Sequence, residues 1–365
     1  MNTEINKQPE SMPFGNLAPW EQDDLPEPPA YTLRNLIRTI GPGAILLATS
    51  IGGGEWLIGP AITVKYGTDI LWIAFVAIAL QLAFNLEAIR YTLYTGEPAL
   101  IGFMRLRPGS KFWAAGYIFI TIAQLGVPAL AAGCASVLFA TFAGRLAGDG
   151  DTAALQYLTY IIIIVTFGIL LSGKTIERLL EYLSWFMVTF IFLFLLVVNL
   201  LFVPFSHWMK TFSGFFQFGS IPADVDLLLL ITFAATAGSG GIGNLVITNW
   251  YRDKGFGMGA KVGSITSAFS KREIHLSPVG KVFPVNEKNM KSWKMWWKYV
   301  SVDQVWLWGT GCVVGMFLNV NITTAIIPSD TEMDHMAAAP SRPNSWPSSF
   351  GVVSGFSHSS TGSGF

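Results

Sequence analysis

The sequence predicts an all-α polytopic membrane protein with about seven transmembrane helices, helices 1 and 6 being broken at mid-span. Three observations carry that expectation. Of the residues, 52% are hydrophobic and only 13% charged, with a mean hydropathy of +0.48, far from a soluble globular average. Seven apolar runs, near Ile40 to Val64, Ile70 to Tyr91, Phe112 to Ala143, Leu155 to Leu171, Tyr182 to Phe205, Leu227 to Trp250 and Val302 to Ile327, approach the roughly 20 residues that cross a hydrocarbon core. Two of the runs are interrupted by glycines, in SIGGGEW (Ser50 to Trp56) and AGSGGIGN (Ala237 to Asn244). Unpaired backbone costs several kcal/mol in hydrocarbon, so such breaks persist only where they line a buried or water-filled cavity. Two in matching positions point to the binding site of a carrier.

Along the chain, residues 1–30 are polar, acidic and proline-bearing and read as a disordered cytoplasmic arm. They lack the basic-then-apolar order of a secretory signal, so the first span itself directs insertion. An amphipathic stretch, Tyr31 to Thr39, leads into a transmembrane region over residues 31–327. Basic residues gather in the even connections, with Arg105, Arg107 and Lys111 in the second, Lys174 and Arg178 in the fourth and ten from Arg252 to Lys298 in the sixth. That bias places the even connections and the N-terminus in the cytoplasm of a cell-membrane protein. The fifth span is apolar all round and reads as lipid-facing scaffold. Alternating Lys and Trp in KSWKMWWKYVSVDQVWLW read as an interfacial anchor. After Pro328 the chain turns Ser-, Pro- and Gly-rich, and residues 328–365 read as a low-complexity tail.

Two motif matches are decoys. GILLSGKT (Gly168 to Thr175) fits the phosphate-loop pattern but closes an apolar span, where a working loop sits between a strand and a helix. GSGGIG (Gly238 to Gly243) fits the dinucleotide pattern, yet no second strand or acidic partner follows. No enzyme activity, cofactor or nucleic-acid partner is therefore expected. Cys134 and Cys312 fall inside spans without metal-ligand spacing and read as small buried hydrophobes. All four histidines lie in loops or the tail.

The candidate site is the pair of breaks. Glu55 follows Gly52, Gly53 and Gly54 directly, and a carboxylate at mid-membrane is costly unless paired or hydrated. It reads as a cation ligand, or as a cap on the second half-helix, where the dipole favours an anion. The second break offers Ser239 and Asn244, with Thr236 and Thr248 nearby, and carbonyls around Gly238, Gly240 and Gly241. These are hard oxygen donors, suited to Mg²⁺-like cations. Glu87 and Arg90 in the second span are spaced to pair on one helix face.

GPGAILLATSIGGGEWLIGPAITVKYG, followed by ILWIAFVAIALQLAFNLEAIRYTLYTGEPAL, resembles the first two spans of the Nramp (natural resistance-associated macrophage protein) divalent-metal transporters, and GKTIERLLEYL resembles the start of their fifth. The resemblance covers roughly Leu36 to Trp250 and implies a LeuT-type inverted-repeat fold with proton-coupled metal uptake. The departures fall on functional positions. Gly52 to Glu55 stand where the family has DPGN, and Gly238, Ser239 and Gly240 stand where it has MPH. Gln124 and Val127 replace its third-span acids. The chain would supply the first five-helix repeat and two helices of the second, with the tail out of frame, or would complete itself by self-association. The expected function is transport of a metal cation or similar small solute across the bilayer by alternating access, without selectivity for soft transition metals, Glu55 being the metal ligand. The alternatives are a transport-inactive sensor or scaffold and a non-functional fragment.

Overall fold

A computed structural model of the chain describes residues 17–52, 54–125, 129–145, 147–172, 176–263, 277 and 279–329. Residues 1–16, most of the tail, Gly53, Val127 and Lys174 lie outside the described residues. Those described are overwhelmingly α-helical, apart from one parallel pairing of two residues each, β1 (Glu21–Gln22) with β2 (Lys281–Val282). Among the described residues four helices are long and apolar enough to cross a membrane, or five if one bent pair forms a single span. The described residues divide into two compact units, 17–125 with 167–329 and 129–166.

The larger unit begins with α1 (Leu33–Thr39), whose Thr32 hydroxyl accepts the Asn35 N–H in an N-cap arrangement. α2 (Pro42–Ser50) opens with proline at its first position and is buried on nearly every face. After the turn at Ile51 and Gly52 the chain resumes as a π-helical turn (Gly54–Ile58) and α3 (Gly59–Tyr66), bent 41° from α2. α4 (Leu71–Thr95) runs 25 residues and stops at Gly96, whose φ of 69° supplies the left-handed cap. The short α5 (Ala99–Met104) and α6 (Ser110–Leu125) follow. Past the smaller unit comes α9 (Ile176–Phe202), 27 residues long. Phe186, Phe190 and Phe194 stack along its exposed side, which suits a lipid-facing helix. α10 (Phe205–Gly214) precedes the second broken pair, α11 (Leu227–Thr236) and α12 (Gly243–Asp253). After α13 (Gly259–Val262), α14 (Glu287–Ser301) passes through a π-helical stretch, Val302–Gly309, into α15 (Thr310–Ile326). The smaller unit holds α7 (Ala129–Ala143) and most of α8 (Thr152–Ser172), with Arg145 and Asp151 paired at 2.6 Å between them.

Two apolar clusters organise the larger unit. One joins Leu46 and Leu47 of α2 to Ile247 and Tyr251 of α12, with Trp308 and Cys312. The other joins Ile62 of α3 to Leu229 and Phe233 of α11, with Met316 and Val320. Each broken helix thus gives one half to each cluster, and α15 belongs to both.

In the third apolar run the described residues form α6 and α7, with 126–128 outside the described residues. The structure differs from one expectation. Residues 17–30 of the expected arm are packed. Leu25 is 2% exposed and its N–H meets Asn289 Oδ1, while Trp296 Nε1 donates to the Pro26 carbonyl and Tyr299 to those of Pro29 and Ala30. On α14 Trp296 is buried against the N-terminal segment, and Trp297 stacks under Arg90 at 5.0 Å. In the phosphate-loop decoy, Gly168 to Ser172 lie within α8, and the remainder falls outside the described residues.

Candidate functional site

The two breaks meet. Glu55 has no exposed surface, and its Oε1 accepts the Gly238 N–H at 2.8 Å. The bond crosses from one broken helix to the other, from a carboxyl in the first turn of the π-helical stretch. Its second oxygen, Oε2, is buried with no hydrogen-bond partner, a costly state for a carboxyl oxygen in an apolar interior.

The second break is an unwound stretch, Ala237 to Ile242, in which Gly238, Gly240 and Gly241 take φ of 83°, 63° and 52°. Only glycine adopts such angles without strain. At Gly241 the constraint is double, since a Cβ would stand 2.5 Å from Gln124 Oε1. The freed backbone groups find side-chain partners. Gln81 donates through Nε2 to the Ala237 carbonyl at 2.6 Å, and its Oε1 accepts from the Gly240 N–H at 2.9 Å and from Asn244 Nδ2 at 3.0 Å. Gln124 Oε1 accepts the Ile242 N–H at 3.1 Å. At the first break Asn319 of α15 donates to the carbonyls of Glu55 and Trp56, at 2.8 and 3.2 Å. Such pairing is what irregular backbone at membrane depth requires.

Of the residues singled out from sequence, Glu55, Gly238, Gly240, Gly241 and Asn244 come together here. Gly52 lies at an exposed turn, Gly54 starts the π-helical turn, and Gly53 is outside the described residues. Ser239 is half-buried in the unwound stretch, and Asn244 keeps a buried, unpartnered Oδ1. Thr236 and Thr248 are turned away: each hydroxyl donates to a carbonyl of its own helix, and Thr248 also accepts the Ala99 N–H. Glu87 and Arg90 pair at 3.2 Å, as their spacing predicts, with both side chains well exposed. Among the described residues, no three His, Cys, Asp or Glu side chains cluster to hold a metal ion.

Sequence reasoning missed the partners supplied by α15 and its π-helical approach. Trp308 Nε1 donates to Ser50 Oγ at 3.1 Å, and Cys312 is fully buried near the break. Below them, Asp303 has no exposed surface and receives four donors. These are the N–H groups of Gly41 and Gly43 at 2.9 and 2.7 Å, the Tyr251 hydroxyl at 2.5 Å and Gln304 Nε2 at 3.3 Å. It therefore caps α2, where an acidic group complements the helix dipole. Beside this cap Lys254 donates to the Ile40 carbonyl at 3.1 Å and pairs with Glu181 at 2.6 Å. A DQ pair inside an apolar run was the available signal for Asp303, but nothing local ties it to a helix start 260 residues away.

Outside the spans, a buried ionic cluster fastens the N-terminal segment. Glu97 accepts from Arg105, from Trp20 Nε1 at 3.1 Å, from the Tyr91 hydroxyl at 2.8 Å and from the Gly280 N–H at 3.0 Å. Burial pushes the Glu97 carboxyl up, but the donors, led by Arg105, outweigh it and hold the group below its usual value of 4.5.

No protein-family model matches this chain, and no curated protein matches it.

Proposed function

We propose that this chain is the core of an Nramp-like membrane carrier with a LeuT-type arrangement, moving a metal cation or similar small solute by alternating access. In this reading it lies in the cell membrane with its N-terminus in the cytoplasm. The observation that carries it is Glu55, a fully buried carboxyl that joins two broken helices through Gly238 and leaves Oε2 without a donor. A cation meets that orphan oxygen, where a break in one helix faces a break in another. The halves of the broken helices belong to different apolar clusters, α2 with α12 and α3 with α11. One cluster can therefore shift against the other while the breaks act as hinges.

Proteoliposomes test the proposal. Cation-dependent uptake by the wild type should vanish in Glu55→Gln, which keeps the size of the side chain and an oxygen for Gly238 N–H while removing the charge. Uptake unchanged in that variant would refute the assignment. Cation binding by the wild type without uptake would instead support the sensor alternative.

A further inference from the structure

The wall of this site contains one metal-ligating side chain that the carrier reading leaves unused. Cys312 is the third residue of α15 and has no exposed surface. Its place is set from both sides. Four residues earlier Trp308 reaches Ser50 Oγ at 3.1 Å, and seven residues later, two turns on along the same face, Asn319 reaches the Glu55 carbonyl at 2.8 Å. Between them Gly315 lies against Ile51, its Cβ position 3.6 Å from Cγ1. This face of α15 runs along the break from Ser50 to Glu55, and the buried Cys312 lies on it between Trp308 and Asn319. Glu55 Oε2 has no hydrogen-bond partner there.

A buried carboxyl oxygen, a thiol and a hydroxyl along one face of the break form a mixed donor set. Oxygen alone suits Mg²⁺ and Ca²⁺, whereas sulfur shifts preference towards Zn²⁺, Cd²⁺ and other borderline or soft cations. We propose that Glu55, Cys312 and Ser50 form a site for one such divalent cation, with Cys312 setting its preference over Mg²⁺ and Ca²⁺. The inference rests on the carrier reading for Glu55, and it supplies the soft donor that the sequence-based expectation lacked. Metal binding breaks the S–H bond: the sulfur electron pair goes to the cation, the proton goes to solvent, and nothing is oxidised.

The test uses the full chain in detergent, with the exposed Cys134 removed by Cys134→Ser so that one thiol remains. Cd²⁺ titration should produce a sulfur-to-metal charge-transfer band with release of a proton, and the band should survive excess Mg²⁺. Adding Cys312→Ser should abolish the band and weaken Cd²⁺ binding at least about tenfold. Absence of the band in the Cys134→Ser protein overturns the proposal, and this measurement leaves the site itself intact. Equal Cd²⁺ affinity with and without Cys312 also overturns it. In either case, loss of Mg²⁺ binding in Glu55→Gln would leave the carrier reading standing. Cation binding indifferent to Glu55→Gln would remove the carrier reading instead.

Discussion

Replacing Asp303 by asparagine should loosen α2, the first half of the first broken helix. The wild-type side chain offers one oxygen to Gly41 N–H and the other to Gly43 N–H, the Tyr251 hydroxyl and Gln304 Nε2. An amide keeps one oxygen. In its better orientation it retains the three donors on Oδ2 and turns an NH₂ group towards Gly41 N–H, leaving a buried donor unpaired at a cost of about 1–3 kcal/mol. The retained bonds lose their charge-assisted part, and the helix start loses a favourable charge, up to about 2 kcal/mol in buried geometry. Together the variant should be destabilised by about 3–5 kcal/mol, the range seen when one partner of a buried charged network is removed. Unfolding in mixed micelles with increasing dodecyl sulfate measures this. Glu87→Gln serves as the control, since it breaks an exposed pair and should change stability by less than about 1 kcal/mol. Hydrogen exchange should also accelerate at the amides of α2 and not at those of α9. An Asp303→Asn protein within about 1 kcal/mol of wild type, with unchanged exchange in α2, would refute the capping role.

Further expectations concern other parts of the unit. Gly241→Ala should destabilise the protein by at least about 1–2 kcal/mol, because φ is 52° and the end of the Gln124 side chain, 2.5 Å from the Cβ position, must move, whereas Gly52→Ala should be tolerated, its nearest neighbour being Thr49 O at 3.6 Å; unfolding in mixed micelles compares the two. Arg105→Met should leave the Glu97 carboxyl buried without its ionic partner and free the segment around Trp20, so limited proteolysis should cut residues 17–30 faster in the variant. Because the Glu97 carboxyl is held below its usual 4.5, the cluster contributes stability above about that pH and loses it as pH falls through the lowered folded value. Protection of the N-terminal segment from protease in wild type should therefore fall on acidification and not on moderate alkalinisation. Gln81→Leu should impair folding more than Gln124→Leu, since Gln81 holds Ala237, Gly240 and Asn244 while Gln124 holds Ile242 alone; yields of monodisperse protein decide it.

The sequence by itself determined the helical class, the apolar runs and the breaks, because these follow from composition and from local backbone preference. A glycine cluster in an apolar run marks an unwound stretch whatever surrounds it, and Ala237 to Ile242 unwind where Gly238, Gly240 and Gly241 fall. The pairing of Glu87 with Arg90 was legible for the same reason, as three residues along a helix set the distance. Only the tertiary structure decided what closes the breaks. Gln81 and Gln124 lie some 160 and 118 residues from the amides they bind, Asn319 lies 264 from Glu55, and Asp303 lies 260 from Gly43. No periodicity or motif encodes such separations. The same holds for residues 17–30, whose polar composition predicts disorder but whose backbone is held by Asn289, Trp296 and Tyr299 from the far end of the chain. Cys312 has the bland sequence context of a small apolar residue, and it acquires chemistry only because one face of α15 follows the first break from Ser50 to Glu55.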